Sequence, residues 1–158
     1  MNYTPGDIVL CHGPGWISRL IRFGERMRDP ASDSHWNHAA IISDADGTMI
    51  EAVGKGVRKG SLAAYPDHII IPSRLSPEDT AQALAFAESC VGTEYGYLTA
   101  ASIGLNLLVP WFIHFQSGDT LICSQLVARA LEHGGWICPK LDTSHVMPSD
   151  LAKWLLHP

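Results

Sequence analysis

The chain has 158 residues, 46% of them hydrophobic and 17% charged, with a formal net charge of -5. That length builds one domain with a substantial core and is too short for two comfortable ones, and the apolar share excludes an intrinsically disordered chain. The acidic balance points to no nucleic-acid partner, and the one basic run, Arg19, Arg22, Arg26 and Arg28, is spaced like the solvated face of a helix.

After a turn at Pro5-Gly6, "DIVLCH" predicts a first strand. "GWISRLIRFGERM" predicts a helix with Trp16, Ile17, Leu20, Ile21 and Met27 on one face, and "DPASDS" a polar loop. Two short apolar runs, "HAAIIS" and "TMIEAV", flank "DADG", a strong hairpin signal. "GKGVRKGS" is expected to be a glycine- and lysine-rich loop, and "HIIIP" another short strand. In "SPEDTAQALAFAESCVG", Ser76 suits an N-cap and Pro77 the first helical position. Glu78 and Asp79 complement the dipole there, and Gly92 supplies the stop.

Residues 97–115, "YLTAASIGLNLLVPWFIHF", carry no formal charge unless His114 is protonated. Gly104, Asn106 and Pro110 interrupt this run, which favours a buried hairpin or an apolar lid and leaves membrane or lipid contact as the alternative. "LICSQLVARALEHGG" predicts an amphipathic helix with Leu126, Val127, Ala130 and Leu131 as its apolar stripe and Gly134-Gly135 as its end. "MPSDLAKWLLHP" predicts a last small helix. Helices and hairpin-linked strands segregate along the chain, so the expected fold is α+β, an antiparallel sheet packed against helices in a single domain spanning residues 1–158.

Cys11, Cys90, Cys123 and Cys138 occur singly, without the paired spacing of a zinc site or a disulfide framework, which points to free thiols in a reducing compartment. The remaining histidines, His12, His35, His68, His114, His133, His145 and His157, show no ligand spacing, so no metal or other cofactor is expected. The N-terminus has no basic n-region of a signal peptide, making the cytoplasm the default location. Release by lysis or by a secretion machine is compatible with the same N-terminus.

If the "DADG" turn pairs Ser43 with Thr48, Ala40 lies opposite Glu51, and His38 shares a face with Glu51 as its diagonal neighbour. A slip of one residue would separate them. A histidine satisfied by a nearby acid is common in purely structural roles, and it is also how an imidazole is oriented in hydrolytic triads. Cys123 sits where a helix starts. There the unpaired amides and the dipole favour a thiolate and can donate to an oxyanion, yet a free cysteine also packs well as a small apolar residue. Cys11 at a strand end, Cys90 in the last turn of a helix and Cys138 before Pro139 are poorer nucleophile candidates.

In order, "GDIVL", "WNHAAIISDADGTMIEA", "GTEYGYLT", "ICSQLVARAL" and "PSDL" resemble the circularly permuted branch of the NlpC-type papain-like hydrolases. That branch contains the YiiX-like proteins and is related to lecithin:retinol acyltransferase. The resemblance runs from Gly6 to about Leu151. It implies a papain-like fold in which Cys123 is the nucleophile, His38 the base and Glu51 the residue orienting His38. It further implies a substrate or oxyanion role for Tyr95. Trp36, Asn37 and Ser124 are candidates for lining the cleft or assisting the oxyanion. Gly96 stands where the family often has Asp, and Ser124-Gln125 where it usually has Ser-Glu.

The implied activity is that of a bacterial or phage cysteine peptidase or amidase, with cell-wall peptide amides as the associated substrate class and a thioacyl-enzyme intermediate. A lipid-directed thiol acylhydrolase or acyltransferase, and a catalytically silent module binding peptide or lipid, are the alternatives. Neither the substrate nor the oligomeric state is legible in the sequence.

Overall fold

The computed structural model describes residues 3–12, 36–53, 56–93, 123–139 and 146–156. Among them five strands form one antiparallel sheet: β1 (Ile8–Cys11), β2 (His38–Ile42), β3 (Thr48–Val53), β4 (Gly56–Ser61) and β5 (His68–Ile71), in the order β4-β3-β2-β1-β5. Three α-helices follow, α1 (Pro77–Ser89), α2 (Cys123–His133) and α3 (Pro148–Leu156), so the architecture is α+β. The helix expected near Trp16, Tyr95, and the apolar run 97–115 lie outside the described residues.

The "DADG" stretch turns the chain as expected. The Ser43 amide donates to the Thr48 carbonyl at 2.8 Å. Asp44 Oδ1 accepts from the amides of Asp46 at 3.3 Å and Thr48 at 3.1 Å, standing in for backbone partners in the loop. This sets the register: Ala40 faces Glu51, Ile41 faces Ile50 and Ile42 faces Met49. On the other side of β2, Cys11 pairs with His38, and on the far side of β1 it pairs with His68.

"GVRKGS" is a strand, not the loop expected from its glycines and lysine. β3 presents a free edge, and β4 satisfies it along its whole length, from Thr48 opposite Ser61 to Val53 opposite Gly56. Pairing and burial of Val57 outweigh the weak strand preference of Gly and Lys. The outer side of β4 is itself engaged, since the Val57 amide donates to the Thr93 carbonyl and the Gly92 amide to the Val57 carbonyl, both at 2.8 Å.

The sheet has two covered faces. Ile8, Leu10, Ala39, Ile41, Ile50, Ala52 and Val57 pack with α2, α1 and α3, whereas Val9, Cys11, Ala40, Ile42 and Met49 pack with Leu62 and Tyr65. Those last two residues come from a short 3-10 turn, Leu62–Ala64, and the residue after it. β2 is buried along its entire length, as a central strand covered on both faces must be.

α2 is seated by Leu126, Val127, Ala130 and Leu131, all 0–1% exposed. At about 1.5–3 kcal/mol for each large apolar side chain, that stripe is what holds the helix on the sheet. α1 starts as anticipated, with the Ser76 side chain accepting from the Asp79 amide at 3.2 Å and Pro77 in its first turn. Among the described residues no helix is long and apolar enough to cross a membrane.

Gly134, just past the end of α2, lets that helix approach α1 closely. A Cβ there would lie 2.8 Å from both the Asp79 carbonyl oxygen and Leu75 Cδ1. Because one of these is backbone, Gly134→Ala should destabilise the fold by about 1–3 kcal/mol, measured by urea unfolding. An unchanged midpoint would show that α1 and α2 are not in such close contact.

Candidate active site

Glu51 sits mid-strand in β3, fully buried, with the small side chain of Ala40 opposite it. A carboxylate with no access to water is tolerated only when its lone pairs are filled. Here they are. Oε2 accepts from His38 Nε2 at 2.8 Å and from the Tyr65 hydroxyl at 2.6 Å. Oε1 accepts from Arg58 Nε at 3.1 Å, and Arg58 Nη2 stands 3.0 Å from the same oxygen. Gly60, diagonal to Glu51 on the neighbouring strand, has no side chain because a Cβ there would collide with Oε1.

Burial pushes the Glu51 carboxyl up, but hydrogen bonds from His38, Tyr65 and Arg58, with the charge of His38, bring it below the ordinary carboxylate value. For His38, burial favours the neutral ring. The hydrogen bonds to Cys123 and Glu51 and the negative charges on both oppose it, raising the imidazole from 6.5 to about 9. The ring is therefore predominantly protonated at neutral pH.

Cys123 is the first residue of α2 and is 2% exposed. It is the other hydrogen-bonding partner of His38. With Nε2 committed to Glu51, Nδ1 is the ring nitrogen left for the thiol. Cys123 belongs to the core on the helix side of the sheet, whereas Glu51, by strand alternation, projects to the opposite side. His38 joins them because it opens β2 and stands at the end of the sheet. The amide of Cys123 is among those that a helix start leaves without an intrahelical acceptor, so it is available to an oxyanion.

The other sequence-predicted residues divide. The Ser124 hydroxyl donates to the Val146 carbonyl at 2.5 Å, tying the first turn of α2 to the approach of α3. Its hydroxyl proton is engaged there. Trp36 packs partly buried against the helix-side core, edge-on to the His12 ring at 5.4 Å. Asn37 is buried, and its amide donates to the Cys11 carbonyl at 3.4 Å. Tyr95 lies outside the described residues.

All four cysteines are free. Burial pushes the Cys11 thiol far up, and the charges of Cys123, Glu51 and Asp67 add to this, so Cys11 is a poor nucleophile. Burial also raises Cys90. Among the described residues no group of three His, Cys, Asp or Glu side chains is arranged to hold a metal ion.

Sequence reasoning missed Arg58, Gly60 and Tyr65. Reading "GVRKGS" as a strand would have put Arg58 opposite Glu51, which is its observed partner. Tyr65 carries no local signal, because a 3-10 turn delivers it from beyond the end of β4.

An imidazole held this way has a testable titration. In nuclear magnetic resonance, the His38 ring should titrate near 9, and Glu51→Gln should lower that midpoint by about 1–3 units. The stability that His38 contributes is fully present below 6.5 and is lost as pH rises through about 9. The contribution of Glu51 runs the other way, present above 4.5 and lost as pH falls through its lower folded value. Urea midpoints should thus decline on the alkaline side, and a His38→Phe protein should lack that decline. Gly60→Ala should displace the Glu51 carboxylate and destabilise the fold by about 1–3 kcal/mol without altering any member of the Cys123, His38, Glu51 set.

No protein-family model matches the sequence, and no curated protein does either, so the functional reading rests on the residues of the site themselves.

Proposed function

We propose that the chain is a cysteine hydrolase cleaving amide bonds, a peptidase or amidase of the permuted NlpC-type, papain-like kind. The observation that carries this reading is the order of contacts Glu51–His38–Cys123, with a buried carboxylate on Nε2 of the ring and a helix-start thiol as the ring's second partner. An imidazole anchored at one nitrogen is a proton carrier at the other.

The chemistry follows from those atoms. Nδ1 of His38 holds the proton it shares with Cys123, and the Sγ thiolate attacks the carbonyl carbon, whose oxygen becomes an anion facing the Cys123 amide. Collapse breaks the carbon–nitrogen bond, and His38 gives its proton to the leaving amine. In the thioester that results, His38 removes a proton from water, hydroxide attacks the acyl carbon, and the acid departs as the proton returns to sulfur. Glu51 keeps the ring in one tautomer and stabilises its charged form throughout. A peptide or acyl group is the partner this chemistry requires, in a reducing compartment that keeps the thiol free.

A catalytically silent binding module is the second reading. The near-complete burial of Cys123, 2% exposed, favours it.

A small alkylating probe at neutral pH separates the two. Cys123 should be labelled before Cys11, Cys90 and Cys138, and His38→Ala should slow that labelling by at least about tenfold. Preferential reaction of another cysteine, or none under native conditions, would remove Cys123 as nucleophile. Mass spectrometry of products from peptidoglycan fragments and from phospholipids, each against Cys123→Ala, distinguishes amide from lipid substrates.

A further inference from the structure

We propose that Tyr65 and Arg58 are positioning residues for the Cys123–His38 pair, a two-sided clamp that holds both oxygens of Glu51 and thereby fixes where the imidazole stands. The proposal rests on the hydrolase reading above and extends the functional set beyond its three expected members.

The clamp is built from independent elements. Tyr65 is 6% exposed and follows the 3-10 turn, where its amide donates to the Leu62 carbonyl at 3.0 Å. Its hydroxyl donates to Glu51 Oε2, the same oxygen that receives His38 Nε2. Its ring also stacks on the His38 ring, with centroids 5.4 Å apart and planes 21° from parallel. One residue therefore limits both the position of the carboxylate and the tilt of the imidazole. Arg58 comes from β4, directly opposite Glu51, and takes the other oxygen through two nitrogens. A carboxylate offers about four acceptor sites; here three hydrogen bonds fill three of them, with Arg58 Nη2 as an additional ion-pair contact. Gly60 leaves open the space that Oε1 occupies, since a Cβ there would overlap it.

The two residues do different work. Tyr65 is neutral, buried and directional. Arg58, with its side chain 58% exposed, supplies a counter-charge from the solvent side. With Arg58 present, the set Arg58, Glu51, His38 and Cys123 sums to zero whether the shared proton sits on sulfur or on Nδ1. Without it, a net negative charge is left in a dry interior, and the cheapest relief is for Glu51 to take up a proton. A protonated Glu51 would no longer hold His38 charged. Among the described residues, the groups that act on His38 and Glu51 are Arg58 from β4, Tyr65 from the segment before β5 and Cys123 from α2, with Cys11 from β1 feeling the charge of Glu51. Of these, Arg58 is the cation.

The test uses the full chain with glutamate labelled at the carboxyl carbon, Glu51 being assigned from Glu51→Gln. Tyr65→Phe keeps the ring and removes the donor; Arg58→Gln removes the charge; Arg58→Lys keeps the charge. The first two should each raise the Glu51 midpoint by about one unit or more, and Arg58→Lys should stay close to the parent. Alkylation of Cys123 should then fail at mildly acidic pH in the first two variants while persisting in the parent and in Arg58→Lys. Unchanged Glu51 titration in Tyr65→Phe and Arg58→Gln, even with lower melting temperatures, overturns the clamp. Labelling of the parent protein at a cysteine other than Cys123 overturns the hydrolase reading instead, and the Glu51 titration still decides whether the clamp exists.

Discussion

A carboxylate with no exposed surface dictates much of this molecule. Glu51 lies in the middle of a strand whose neighbours on the same face are apolar, and an unpaired charge there would cost several kcal/mol even after relaxation. Its partners come from β2, from β4 and from beyond a 3-10 turn, so three separate stretches of chain converge on one side chain. The arrangement explains features that look arbitrary in isolation: a glycine in β4, a small residue opposite Glu51, and an arginine on an edge strand.

The second constraint is the seat of α2. Its apolar stripe lies on β2 and β3, so the start of the helix is carried to the end of the sheet where His38 stands. Ser124 pins that first turn to the segment entering α3, and Gly134 lets the far end of the helix close on α1. Both ends are thus located by contacts that have no part in the chemistry. The precision with which a thiol meets an imidazole depends on such supports as much as on the reacting groups.

Local signals made the hairpin, its register, the N-cap of α1 and the start of α2 legible. Each rests on turn chemistry or periodicity within a few residues, and such preferences act before the fold is complete. His38 and Glu51 could be placed on one face because a single turn connects their strands. β4 was misread because glycine and lysine describe a loop, while the unpaired edge of β3 and the buried carboxylate describe a strand. The Ser124 hydroxyl is held by the Val146 carbonyl, a partner far along the chain that no local pattern announces.

By itself, the sequence determined the α+β class, the alternation that turns His38 and Glu51 the same way, and the cysteine at the head of an amphipathic helix. Those are consequences of short-range geometry. Only the tertiary structure decided that the thiol and the carboxylate reach one imidazole from opposite sides of a sheet, and that Tyr65 and Arg58 complete the set. Contacts between residues so distant in the chain depend on how whole elements pack, which no local pattern encodes.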